Sequence, residues 1–177
     1  MVGRTGFLAG ILLILSLIIL GCGAMKESTL EERNKELVIR DNQEIWNKGN
    51  LEMLEEFYSV DFVHHFLPTG AETKGLEELR NHIRNHRQAF PDWAEEIKQI
   101  IAEGDLVVTH FLSTGTNTGI FMGNPPTGKK IHVNEMSIYR IADGKIVEQW
   151  LLPDLLSTNQ QLGFISQSIP SPDEGKP

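Results

Sequence analysis

Cysteine is almost missing from this chain. Cys22 is its single copy among 177 residues, so no internal disulfide can form. Positive charge is also scarce. Sixteen Lys and Arg stand against 24 Asp and Glu, a net charge of −8, which argues against the basic stripe of a nucleic-acid-binding surface. No internal repeat or long low-complexity run is present. No apolar stretch reaches the ~20 residues that cross a bilayer comfortably. Gly115, Gly119 and Gly123 are too far apart for a phosphate-cradling loop. His82 and His86 stand four apart, but the run between them lacks the glutamate of a zinc-protease motif, and Arg84 and Arg87 add repelling charge. What remains is 40% hydrophobic and 23% charged, enough for one domain with a real core.

The first residues read as a leader. Arg4 precedes an apolar run from Phe7 to Leu20, broken by Gly10 and Ser16 and ending at Gly21-Cys22. That is the layout of a secretory signal. A lone cysteine at its end resembles a bacterial lipoprotein signal, with residues 1–21 removed and Cys22 lipidated. An uncleaved signal anchor is the alternative. The expected product is exported and anchored to the membrane of the bacterial cell envelope. Residues 22–29 then form a tether, residues 30–165 the domain, and residues 166–177, with three prolines, a disordered tail.

Within the domain, helical spacing comes first. Ser28 or Thr29 can cap a helix carrying Leu30, Leu37, Val38, Ile45 and Trp46, stopped by Gly49. Asn50 caps a short second helix through Tyr58. Asp61 to Phe66 is extended, and Pro68 to Gly75 is a loop. Leu76, Leu79, Ile83, His86 and Phe90 mark a third helix that Pro91 ends. From Trp93 the period falls to two, with strands at 93–102, 106–114, 131–141 and 145–152 and turns at Gly104-Asp105 and Asp143-Gly144. A helical turn follows over 155–162. Helices then strands predict an α+β fold, with the N-terminal helices packed on an antiparallel sheet; if that sheet is strongly bent, a cone-shaped hollow is left on its concave side. That hollow is the expected ligand site.

Asp154 follows an apolar strand and lies among Leu151, Leu152, Leu155 and Leu156. It either caps the turn that begins at Leu155 or faces the hollow, where apolar surroundings would raise its pKa. His110 sits in the apolar strand 106–112, where it could polarise a carbonyl or simply serve the core. Trp150 reads as pocket wall or core. Asn134 and Glu135 interrupt an apolar strand, and one must face inward; Asn134 is taken as the ligand-binding candidate. The loop from Asn117 to Lys129 reads as a flap over the mouth or a dimer contact.

Several segments occur in one order: Asp61–His65, Ala89–Trp93, Ala102–Val108, Thr114–Gly119, Gly123–Lys129, Ile138–Trp150, Asp154 and Gln160–Gly163. Together they resemble the SnoaL-like polyketide cyclase, or ester cyclase, family of the nuclear transport factor 2-like superfamily. The resemblance implies a cone-shaped α+β barrel, often a homodimer, and ring closure of a small hydrophobic carbonyl compound by aldol chemistry without metal or cofactor. It implies Asp154 as the acid/base, and His65 matches a family position. His110 is the second catalytic candidate, and His65, Trp150, Asn134 and Trp93 are the ligand-binding candidates. The chain departs from the family at His64, where an acid is common, and at Asn117 and Gln149, where histidines are common. A lipid-anchored binding protein using the same hollow without catalysis is the competing expectation.

Overall fold

The computed structural model describes residues 28–166. The leader, Cys22 and the end of the tail lie outside them. Among the described residues, no helix is long and apolar enough to cross a membrane.

Helix α1 spans Leu30–Asp41. Thr29 caps it through a reciprocal box, its hydroxyl accepting from the Glu32 N–H while the Glu32 carboxylate accepts from the Thr29 N–H. The helix does not run on to Gly49 as a regular spiral. It widens into a π-helical segment, Asn42–Asn47. A 3₁₀ turn, Leu51–Met53, and the short α2, Leu54–Phe57, follow. Strand β1, Tyr58–Phe66, is longer than expected. The expected loop after it holds β2, Ala71–Lys74, whose polar run carries little strand signal. Next come α3 (Leu76–Ala89), β3 (Ala94–Glu103), β4 (Leu106–Thr116), β5 (Lys130–Ala142), β6 (Lys145–Pro153) and α4 (Leu155–Leu162).

The six strands form one curved sheet in the order β2-β1-β6-β5-β4-β3. The sheet is mixed rather than antiparallel, because β1 runs parallel to β6 and the other pairs are antiparallel. Two hairpin partners can lie adjacent through a tight turn. A first strand meeting the last by a long return has no such constraint on direction.

Two apolar clusters fill the concave side. One gathers Val38, Ile45, Leu54, Phe57, Phe62, Leu79, Ile83 and Ile146. The other gathers Ala89, Phe90, Trp93, Ile131, Val133 and Leu162. The loop after β4 is clamped to the end of α3 by Thr118 and Gly119 N–H groups donating to Ala89 O. A Cβ at Gly119 would stand 2.3 Å from Gln88 O, so only glycine permits this approach.

Candidate active site

A cavity of about 300 Å³ lies between the helices and the concave face. Its walls are largely aromatic, with Trp46, Phe66, Phe90, Trp93, Phe111 and Phe121 among them. Set into those walls are Glu95, Glu135, Gln149 and three histidines, His64, His82 and His86; no Lys or Arg lines it.

The sheet side supplies the carboxyl groups. Glu135 points inward from the middle of β5. Its Oε2 accepts from Ser113 Oγ on β4 at 2.9 Å, and its second oxygen has no hydrogen-bond partner among the described residues. Burial pushes its carboxyl up to about 7, against the lowering effect of the Ser113 hydrogen bond. Glu95 opens β3. Burial pushes it up to about 8, helped by the charge of Glu135 and opposed by hydrogen bonds from Trp93 and Asn42. Trp93 Nε1 donates to one Glu95 oxygen at 2.9 Å and Asn42 Nδ2 to the other at 2.6 Å.

The π-helical segment explains how Glu95 is held. Widening the turn to i→i+5 brings Asn42 and Asn47 to one side. Asn47 Nδ2 donates to Glu95 O at 3.0 Å, and Glu95 N donates to Asn47 Oδ1 at 2.7 Å. The same Asn47 amide nitrogen donates to Asn42 Oδ1. One asparagine pair therefore fixes both the backbone and the side chain of Glu95. Below it, Asp41 is buried and pushed up to about 8 by burial, despite the hydrogen bond that Tyr58 donates at 2.9 Å.

The helix side supplies neutral imidazoles. His82 and His86 stack along α3, and His64 of β1 lies 5.6 Å from His82 between ring centroids. His86 packs edge-on against Trp93 at 4.2 Å. Burial lowers His64 to about 4 and His86 to about 3, with further lowering from neighbouring charge, and burial lowers His82 as well. These rings are uncharged at neutral pH. Among the described residues, no group of three or more His, Cys, Asp or Glu is placed to hold a metal ion.

Of the residues singled out from sequence, Trp93 lines the cavity. The others lie elsewhere. Asp154 is exposed, and its carboxylate accepts from the Ser157 N–H at 2.9 Å as the cap of α4. Its neighbours Pro153 and Leu155 reach the cavity, but the carboxylate turns away from it. His110 projects from the convex face, where its Nε2 is bonded to Asn134 Oδ1 at 2.9 Å. The inward residues of β4 are the buried alternates Val107, Thr109, Phe111 and Ser113. His65 and Trp150 stack on each other on the convex face, 5.2 Å apart, and His65 bonds Glu148 at 2.7 Å. In each case the immediate chain neighbour faces inward instead: His64 for His65, Gln149 for Trp150 and Glu135 for Asn134. Strand alternation makes these one-residue differences a complete change of side.

The loop between β4 and β5 reaches the cavity, as expected of a flap. Phe121 and Met122 line the cavity. Asn117 is fully buried and organises the loop, its Oδ1 accepting from Thr127 N and Oγ1 and its Nδ2 donating to Gly119 O. Glu95 went unrecognised among alternating charges on β3. The Asn42–Asn47 pair, facing that strand, was the signal available.

Known proteins share this chain's sequence pattern and fold. The aklanonic acid methyl ester cyclase of Streptomyces peucetius is 28% identical over 143 residues, covering 79% of this chain and 96% of that protein. The nogalonic acid methyl ester cyclase of Streptomyces nogalater is 28% identical over 125 residues, covering 67% and 89%. A solved SnoaL-like protein from Jannaschia sp. CCS1 superposes with a TM-score of 0.72 at 27% identity, covering 77% of this chain and 95% of that one. The family model of SnoaL-like polyketide cyclases matches residues 36–162, most of the chain and all of the cavity: the chain belongs to the SnoaL-like polyketide cyclase family.

Proposed function

We propose that this protein closes a ring in a small hydrophobic carbonyl compound by cofactor-independent acid/base chemistry, with Glu135 moving the proton. The observation behind this is a cavity-facing carboxyl among aromatic walls, half held by Ser113 and pushed up to about 7. At neutral pH such a group exists in both forms, which suits it to take a proton and return it. The ionised carboxylate removes a proton from the carbon beside a carbonyl, leaving an enolate. That carbon attacks a second carbonyl of the same molecule, a C–C bond forms, and the alkoxide takes the proton back from Glu135. Asp154, expected to do this, serves α4 as a cap.

The test is turnover of the methyl esters on which the Streptomyces relatives act, followed by mass spectrometry and absorbance. Glu135→Gln should lose about 10²–10⁴ in rate, the usual worth of general acid–base help. Loss in Asp154→Asn with Glu135→Gln unaffected would return the role to Asp154.

A second reading, a lipid-anchored protein that binds the compound without changing it, is favoured by the outward turn of the Asp154 carboxylate. Tight binding with no product would establish it. Either reading places the protein at the envelope through Cys22, which lies outside the described residues. Incorporation of a labelled fatty acid, lost in Cys22→Ser, checks the anchor. A homodimer through the convex sheet face completes the proposal.

A further inference from the structure

One cavity group has no place in the chemistry above. Gln149 is only 3% exposed and lines the cavity. Its amide nitrogen donates to Ser137 Oγ at 3.1 Å. Its carbonyl oxygen is buried and has no hydrogen-bond partner among the described residues. An amide oxygen can only accept. Left bare, it costs stability, and a ligand that brings a donor to it recovers that cost.

The register gives this oxygen a fixed relation to Glu135. Gln149 lies opposite Tyr139 on β5, and its partner Ser137 is the next inward residue. Glu135 is the inward residue after that. The Gln149 side chain reaches along the sheet to the level of Ser137, two residues and so roughly 7 Å from Glu135. One wall of the cavity thus carries an obligate acceptor and a carboxyl separated by about the width of a fused aromatic ring, with Trp46, Phe66, Phe90 and Phe111 around them.

We propose that Gln149 reads a hydroxyl: the cavity takes an aromatic hydroxy ketone whose hydroxyl donates to Gln149 Oε1 while its carbonyl meets Glu135 at the opposite end. The carbonyl half of this assignment rests on the reading of Glu135 above; the hydroxyl half does not. A site built around a donor from the ligand discriminates strongly against an analogue that lacks it. A methyl ether in the same place keeps the bulk and the polarity but removes the O–H.

The experiment is calorimetric titration of the purified full-length protein with 6-hydroxy-1-tetralone, 6-methoxy-1-tetralone and 1-tetralone. The hydroxy ketone should bind the wild type at least about tenfold tighter than the methoxy ketone. In Gln149→Leu, and in the more flexible Gln149→Met, the ratio should fall to about one while thermal midpoints hold. Equal binding of the two to wild type overturns the inference, and so does a preference that survives in both variants. Tighter binding of the methoxy ketone means the amide turns its N–H to the cavity, and overturns it too. Glu135→Gln separates the two readings. If it weakens all three ketones alike while no hydroxyl preference exists, the Gln149 assignment fails and the Glu135 role stands. Failure of all three ketones to bind at millimolar concentration overturns both.

Discussion

The two faces of the sheet differ in chemistry more than in hydrophobicity. The concave face holds Glu135, Gln149 and His64 behind aromatic walls. The convex face carries Met136 (48% exposed), Ile138 (39%) and Leu152 (49%), together with the His65–Trp150 stack. Both faces are therefore apolar with a few polar groups. On the concave side those polar groups are enclosed by the cavity walls, and the ionisation of Glu135 and His64 is displaced. On the convex side they pair: Arg140 grips Glu148 at 2.6 Å, and that hydrogen bond, ahead of the one from His65, holds Glu148 below the usual carboxylate range. Enclosure, rather than residue type, decides which groups can do chemistry.

The comparison can be broken in several places. The largest effect expected is on turnover. Glu135→Gln should reduce it by about 10²–10⁴, while His110→Ala on the other face leaves it within about twofold, measured as initial rates on one substrate.

Next is association. If the convex strip mates with a second copy, the pair Ile138→Lys and Leu152→Lys should convert dimer to monomer in sedimentation velocity. Ligand affinity should stay unchanged, because neither side chain reaches the cavity. A wild-type monomer at all concentrations would refute the pairing.

A smaller effect concerns pH. Glu95 and Glu135 hold their protons in the folded state to about 8 and about 7, above their unfolded value near 4.5. Their contribution to stability is full below pH 4.5 and is lost as pH rises through the folded values. The buried His64 and His86 act oppositely, since their lowered values make the fold less stable as pH falls below about 6.5 towards 4 and 3. Glu95→Gln should therefore raise the thermal midpoint at pH 8 by about 5 °C relative to wild type and change little at pH 4.5. Identical shifts at both pH values would contradict the assignment.

The smallest concerns the cap. Asp154→Ala should cost about 1 kcal/mol in a denaturation curve, and Asp154→Asn, an equally good cap, almost nothing. Turnover should survive both.

Much of the architecture was legible in advance. The strands of the hairpins, the glycine–aspartate turns and the helix stripe of Leu79, Ile83 and His86 follow from period and turn chemistry, and the structure places all of them as read. Which alternate faces inward was not legible on β1, β5 and β6. Ile138, Trp150 and Leu152 give the convex side an apolar pattern as good as the concave one, so alternation alone leaves two registers of equal merit. Alternation therefore does not separate Gln149 from Trp150, or Glu135 from Asn134. The direction of β1 escaped notice because parallel pairing with a distant strand leaves no local trace. The π-helical widening at Asn42–Asn47 is likewise set by what the two asparagines grasp on β3, a partner about fifty residues away.

That parallel seam has a consequence for how the molecule is made. Strand β1 and its hairpin partner β2 join the rest of the sheet only through β6, with His65 opposite Trp150. As the polypeptide leaves the ribosome, β1 and β2 must wait as a bare two-stranded ribbon until nearly the whole domain has been synthesised. Such late, distant closure slows folding and leaves sticky edges open meanwhile. The edge that β1 later fills on β6 stays bare until that closure, so the seam is both the last pairing made and the one most open to a wrong partner.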